Sequence, residues 1–233
     1  MKPLALDLCA GLGGWTEGFL AEGWDVIGFD IERHQHGTHC YPAHLVVQDI
    51  LTLDGRQFCG RVQGIVASPP CQKYSYMAMP WTRAKALALW YRDLEHPERI
   101  EELNRLFSAC FRIAEEAECP IVLENVRGAQ PWVGRAMWHY GSYYLWGDVP
   151  ALMPIPNSSY GVKAGDRNVG RKSGVNKGDA FKQGGDWFSD PSSVSRQSSS
   201  QSKARKAASA MIAKIPFRLS RHIASVWNNR LAP

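Results

Sequence analysis

The apolar positions of the chain fall in short continuous runs broken by turn residues. "LALDLCA" (residues 4–10) runs into "GLGG", then the amphipathic "WTEGFLAEG" and then "WDVIGFD", a pattern that predicts strand, glycine turn, helix, strand. "HLVVQDI" and "QGIVASPP" are two further short runs of strand length. "ERIEELNRLFSACFRIAEEAE" (98–118) has apolar residues at helical spacing and Glu in its first turn, and "CPIVLEN" supplies another strand. Strands alternating with helices predict an α/β domain with a mostly parallel sheet covered on both faces, whose ligands bind at the carboxyl ends of the strands. Asp7, Asp30, Asp49, Cys71 and Glu124 all fall at those predicted ends. From Ala204 to Asn228 the apolar spacing is again helical, with Met211, Ile212, Ile215, Leu219, Ile223 and Val226 on the inward stripe and Pro216 marking a break or a new helix start.

Composition adds a class and a compartment. A chain of 233 residues, 45% hydrophobic and 21% charged, can bury a sizeable core. Nowhere do about 18 consecutive apolar residues occur, and the apolar run at the N-terminus is too short for a signal peptide, so a soluble cytoplasmic protein without membrane contact is expected. The six cysteines then read as reduced thiols and not as a disulfide framework.

Charge is segregated. Residues 1–160 carry 13 Lys and Arg against 18 Asp and Glu, whereas residues 161–233 carry 14 against 4. A basic region of that kind is the electrostatic footprint of a phosphate-backbone binder, and a solvated tail has the same composition.

The candidate chemistry sits at the strand ends. Glycines after the first strand let backbone approach a ligand, and Asp30, about 20 residues on, is placed to hydrogen-bond a ribose. The dinucleotide fingerprint fits as far as Gly11, Gly13 and Gly14 but has Thr16 where its last glycine belongs. S-adenosylmethionine needs close approach but no pyrophosphate cradle, and an acid such as Asp7 can face its amino-acid end. "ASPPCQKYS" places Cys71 directly after two prolines, which stiffen the turn that presents it. A polar loop can lower a thiol from its free value of about 8.5 toward the reactive thiolate. "HQHGTHCYPAH" gathers His34, His36, His39, Cys40 and His44, which are metal-ligand types, but no zinc template matches their spacing; the stretch reads as a solvated helix after the second strand, and no metal is expected.

"LDLCAGLGGWTEGF", "ASPPCQKYS" and "LENVRG", in that order, resemble the cofactor loop, the Pro-Cys-Gln nucleophile loop and the Glu-Asn-Val strand of the cytosine-C5 DNA methyltransferases, and the brevity of the chain is similar to bacteriophage-type members. "KIPFRLSRHIA" resembles the closing helix of the family. The resemblance implies a Rossmann-like S-adenosylmethionine-dependent methyltransferase fold with a small basic recognition lobe. It implies a cofactor site built from Asp7, Leu8, Cys9, Ala10, Gly11, Gly13 and Gly14, with Asp30 on the ribose, Ile31 over the adenine, Asp49 and Ile50 at its edge, and Pro70 nearby. It implies that Cys71 adds covalently to cytosine C6, that Glu124 holds N3 as a general acid with a pKa raised by burial, and that Asn125 and Val126 shape the strand end. Double-stranded DNA is the implied substrate, with the target base flipped out. The implied compartment is a bacterial or phage-infected cytoplasm, with a cognate restriction nuclease as a candidate partner. Methylation of RNA, or cofactor and nucleic-acid binding without turnover, are the rival readings.

Two departures accompany the resemblance. "YGSYYLWGDVP" (140–150) stands where an arginine that contacts the cytosine carbonyl is expected; Arg127, Arg135 and Tyr143 are the replacements at hand. The chain divides into a catalytic and cofactor-binding domain (1–156), a basic Gly/Ser-rich recognition lobe (157–203) and a helical segment (204–233) that returns to the first. Of the 46 residues from 157 to 202, 11 are Ser and 7 are Gly, a composition of loops that predicts backbone contacts and a short recognition sequence.

Overall fold

The computed structural model describes residues 2–75, 80–154 and 202–231; the basic Gly/Ser-rich lobe lies almost wholly outside the described residues. Strands β1 (Leu4–Leu8), β2 (Asp25–Asp30), β5 (His44–Val47), β6 (Gly64–Ala67), β7 (Ile121–Asn125), β8 (Trp138–Tyr140) and β9 (Tyr143–Gly147) form one sheet in the order β5-β2-β1-β6-β7-β9-β8. The first five are parallel, as their continuous Val, Ile and Leu runs require of strands buried on both faces. β9 runs antiparallel to β7, and β8 antiparallel to β9. From β1 the chain steps outward through β2 to β5, then crosses back to β6 and steps the other way. The strand order thus reverses between β1 and β6, and the crevice above their carboxyl ends is where ligands of open α/β sheets bind.

Side-chain alternation divides the core in two. Leu6, Leu8, Ile65 and Leu123 face α3 (Glu98–Ala117), whose Phe107, Cys110, Ile113 and Ala117 form its inward stripe. Ala5, Val66, Val122 and Leu145 face the other way, toward α1 (Gly14–Ala21) and α6 (Phe217–Leu231). There Phe19, Trp24 and Trp227 pack edge to face or tilted, with centroids 5.2 to 6.2 Å apart.

After the single turn α4 (Gln130–Val133), the C-terminal helices are α5 (Lys203–Ala213) and α6, with Pro216 between them. Pro216 has no N–H to leave unpaired, and its carbonyl accepts from Leu219 and Ser220, so it opens α6. α6 lies against α1 and the start of β6 at separations that only glycine permits: a Cβ on Gly18 of α1 would overlap Ser220 and the Arg221 backbone, and one on Gly64 of β6 would overlap the Trp227 ring. Ser220 Oγ donates to the Trp15 carbonyl and Asn228 Nδ2 to that of Glu22, while Lys214 pairs with Glu17 and Arg221 with Glu22.

The His-rich stretch is not the helix its position suggested. It is a small antiparallel hairpin, β3 (Gln35–His36) and β4 (His39–Cys40), turned by Gly37 in the left-handed region at φ 62°. No apolar stripe exists there to hold a helix against the sheet, and the glycine sets the turn. Among the described residues no His, Cys, Asp and Glu cluster fit to hold a metal occurs, and no helix is long and apolar enough to cross a membrane. Two elements had no counterpart in the sequence reading: α2 (Trp81–Tyr91) and the β8–β9 pair.

Overpacking a filled interface typically costs about 1–3 kcal/mol. Gly18→Val is expected to lose that much by urea unfolding, and Trp227→Ala about 3–5 kcal/mol; wild-type stability in either variant would show that α6 does not pack as described.

Candidate active site

The glycine loop leaves β1 through a tight left-handed turn. Cys9, Gly11 and Gly13 all have positive φ (56°, 52° and 73°), and the loop is pinned by Ala10 N–H to the Phe29 carbonyl and Gly13 N–H to that of Ala10. A non-glycine residue in this region stores strain, which is common where a loop is shaped for a ligand. The glycines have different jobs. Space is open where a Cβ on Gly11 would stand, whereas Gly13 lies under Tyr41 and Pro42, and Gly14 is packed against the Ile215 backbone. Gly11 therefore serves the crevice, and Gly14 joins the C-terminal segment to α1.

Around this loop stand the acids. Asp30, at the end of β2, accepts the Gly11 N–H at 2.8 Å through Oδ2 and faces His34 Nε2 at 3.3 Å through Oδ1. Ile31, the next residue, is 71% exposed, an isolated apolar side chain at the rim. Asp49 caps a single 3-10 turn by accepting the Leu51 N–H at 2.9 Å, and Ile50 turns its side chain into the core. Leu8 and Ala10 are buried beneath the loop, and Cys9 is held against the fully buried Cys110. The neighbouring Cys110 and burial push the Cys9 thiol well above its ordinary range, and burial pushes Cys119 to about 11, which makes both poor nucleophiles.

Asp7 is one residue back from the end of β1 and almost fully enclosed. Its Oδ2 accepts from Thr16 Oγ1 at 2.6 Å, and Thr16 in turn lies 2.6 Å from the Tyr41 hydroxyl, a buried polar chain from sheet to hairpin. Oδ1 has no hydrogen-bond partner among the described residues. Burial pushes the Asp7 carboxyl up to about 8; the Thr16 bond opposes this and the charge of Asp30 adds to it.

The second loop leaves β6. Ser68 continues the ladder with its N–H on the Leu8 carbonyl, and its Oγ accepts the Trp15 indole N–H at 2.9 Å. Pro69 is buried and Pro70 exposed. The Cys71 carbonyl then accepts from Tyr74 and Ser75, closing a turn that leaves the Cys71 side chain half-buried. Tyr74 anchors that turn by donating to the Leu103 carbonyl and lying 3.0 Å from Asn104 Oδ1, both on α3.

Asn125 joins this loop to β7. Its Nδ2 donates to the Pro69 carbonyl at 2.9 Å and its Oδ1 accepts from Val126 N–H at 2.8 Å, so both ends of a buried amide are paired and its orientation is fixed. Cys71 lies two residues beyond one end of this bridge, and Glu124 one residue before the other. By the pleat of β7, Glu124 shares a face with Val122, and Tyr143 belongs to that face of β9. Arg135 lies instead along a groove with Phe107, Phe111 and Trp146 on the α3 face, and Arg127 is exposed in the turn after β7. The role of Asn125 as a strut between two loops has no signature in the sequence, which shows it only as a strand end.

The arrangement fits an S-adenosylmethionine molecule: an acid at the end of β2, open space over Gly11, an exposed aliphatic beside it, and a buried carboxyl oxygen of Asp7 below with no hydrogen-bond partner among the described residues.

Asp7 also makes a stability prediction. Its neutral form is favoured by folding, so its stabilisation is complete below its ordinary value of 3.8 and is lost as pH climbs through about 8. Asp7→Asn is expected to remove that decline; melting temperatures from pH 5 to 9 that fall equally in both proteins would contradict it.

Comparison with known proteins gives the family. The model of the C-5 cytosine-specific DNA methylase family matches residues 4–131, more than half of the chain. The Type II methyltransferase M.AplI of Arthrospira platensis is 32% identical over 79 residues, which make up 31% of this chain and 21% of that protein, so the chain spans about a fifth of that relative's length. The structure of the methyltransferase EhMeth of Entamoeba histolytica is 12% identical and superposes over 100% of both chains with a TM-score of 0.52, a likeness of fold. A triple mutant of Spodoptera frugiperda DNMT2 is 19% identical over 57% of this chain and 38% of its own, with a TM-score of 0.34. With the glycine loop, the Pro-Cys loop and the Glu-Asn strand all inside the matched residues, the chain belongs to the C-5 cytosine-specific DNA methylase family.

Proposed function

We propose that the protein transfers a methyl group from S-adenosylmethionine to C5 of a cytosine in DNA. The observation that carries this reading is the Asn125 bridge, which fastens the Cys71 loop to the strand of Glu124 beside the switch point and the glycine loop. Asp30, Ile31, Asp49 and the backbone from Asp7 to Gly14 would hold the cofactor, with Pro70 at the border of the two loops. Bound there, S-adenosylmethionine supplies an electrophilic methyl group on a sulfonium.

Cytosine C5 is too weak a nucleophile to take that methyl group unaided. Addition of the Cys71 thiolate at C6 forms a C–S bond and pushes the ring electrons toward N3, where Glu124 donates a proton; C5 becomes the carbon of an enamine. Methyl transfer leaves the cofactor as a neutral thioether; loss of the C5 proton to a base then restores the double bond and expels Cys71 as thiolate, and N3 returns its proton to Glu124. C6 is inaccessible in a stacked duplex, so the cytosine must be extruded first. In this reading Asn125 positions Cys71 without touching the base. The basic residues from 161 onward, including the exposed Lys203 and Lys206 of α5, would supply affinity for the phosphate backbone.

DNA carrying 5-fluorocytosine cannot release its C5 substituent, so wild type incubated with it and cofactor is expected to give a denaturation-resistant adduct. Cys71→Ala should give none while binding cofactor normally; an adduct in that variant would falsify the assignment. Glu124→Gln keeps the shape and removes the proton donor, and its single-turnover methylation should slow by about 10² to 10⁴. A rate equal to wild type would make the carboxyl structural.

A further inference from the structure

Residues 31–43 link β2 to β5, and they touch the site from both ends. Near the far end, Tyr41 is buried: its hydroxyl meets Thr16, which donates to Asp7, and its ring lies so close to Gly28 that a Cβ there would overlap it. At the near end, His34 stands just before the hairpin. Its Nε2 is 3.3 Å from Asp30 Oδ1 and its Nδ1 3.5 Å from Glu32 Oε1, with the ring half-buried. Among the described residues, it is the one of the four histidines between positions 34 and 44 that meets a carboxylate.

Asp30 is short of such neighbours. Its side chain is 9% exposed and its charge reaches Asp7, so a partly desolvated carboxylate stands beside a second acid. Two backbone N–H groups hold it, that of Gly11 on Oδ2 at 2.8 Å and that of Glu32 on Oδ1 at 3.4 Å. Among the described residues no Lys or Arg forms an ion pair with it, and His34 is the partner that can carry positive charge. A carboxylate offers about four lone-pair sites, so these three contacts leave capacity for a ribose hydroxyl.

We propose that His34 is a positioning residue for the cofactor: as imidazolium it draws Asp30 Oδ1 toward the hairpin and fixes the orientation in which the carboxylate accepts a ribose hydroxyl. The proposal rests on the reading above that Asp30 receives the ribose of S-adenosylmethionine. The groups that face the ring are both acids, Asp30 and Glu32, with Asp7 beyond Asp30, so a proton on His34 strengthens the contact. The hairpin has a task in this arrangement. Anchored at Tyr41 and turned at Gly37, it carries His34 to the side of Asp30.

The test measures affinity by calorimetry on the full chain for S-adenosylhomocysteine, and for its analogue whose ribose lacks both hydroxyls and so has nothing to give Asp30. Histidine side chains change charge between about pH 5 and 8. Wild type is expected to bind S-adenosylhomocysteine about 2- to 10-fold tighter than His34→Ala near about pH 6, with the gap closing toward about pH 8. His34→Gln, which keeps the bulk and loses the charge, should follow His34→Ala, and Asp7 is common to all three proteins. The analogue should bind all three alike. No gap, a gap of the same size at both pH values, or an equal gap for the analogue would overturn the proposal and leave the cofactor reading standing. Wild type that binds neither compound would remove the cofactor reading, and the role of His34 with it.

Discussion

A buried amide ties two loops directly into one frame. In a parallel sheet the loops at the carboxyl ends of neighbouring strands are each attached only to their own strand, and nothing in the ladder below fixes their separation. Asn125 supplies that constraint by spanning from β7 to the Pro69 carbonyl while its other end is held by Val126 N–H. Losing it would leave a buried carbonyl unpaired, and a group in such a position costs about 1–3 kcal/mol. The constraint on position matters more than that energy, because in the proposed reaction the Cys71 sulfur would have to stand near its target to within a fraction of an ångström.

The glycine loop obeys a different constraint. Asp30 grips the Gly11 N–H, so the acid that would receive a ribose also fastens the loop that shapes the pocket. Below it, the Asp7–Thr16–Tyr41 chain keeps polar atoms inside the core, an expensive choice that a structural strand would avoid. Strain at Cys9 and the unpartnered oxygen of Asp7 fall in the same few residues. Sites that bind ligands are where such costs are tolerated.

Much of this was legible in the sequence, and the failures have physical causes. The runs ending at Leu8, Asp30, Ala67 and Asn125 are strands because continuous apolar stretches between turn residues leave few alternatives. α2 was hidden because Trp81, Leu89 and Trp90 place apolar side chains on its outward face and blur the helical period. The β8–β9 pair was missed because each strand is short and its aromatic residues carry no clear alternation. The His-rich hairpin depends on Gly37, whose left-handed backbone a period count does not register. Among the glycines the sequence offers one motif for one purpose, but Gly14 and Gly18 answer to a C-terminal segment some 200 residues away.

That distance has a consequence for how the protein comes to be folded. Ser220 reaches the Trp15 carbonyl across a sequence separation of 205 residues. At translation rates of about 5–20 residues per second, the apolar surface around Trp15, Phe19 and Trp24 must wait roughly 10–40 s before the helix that covers it has been synthesised. During that interval a nascent chain presents three aromatic residues without their covering helix, the kind of surface that chaperones hold and other nascent chains stick to.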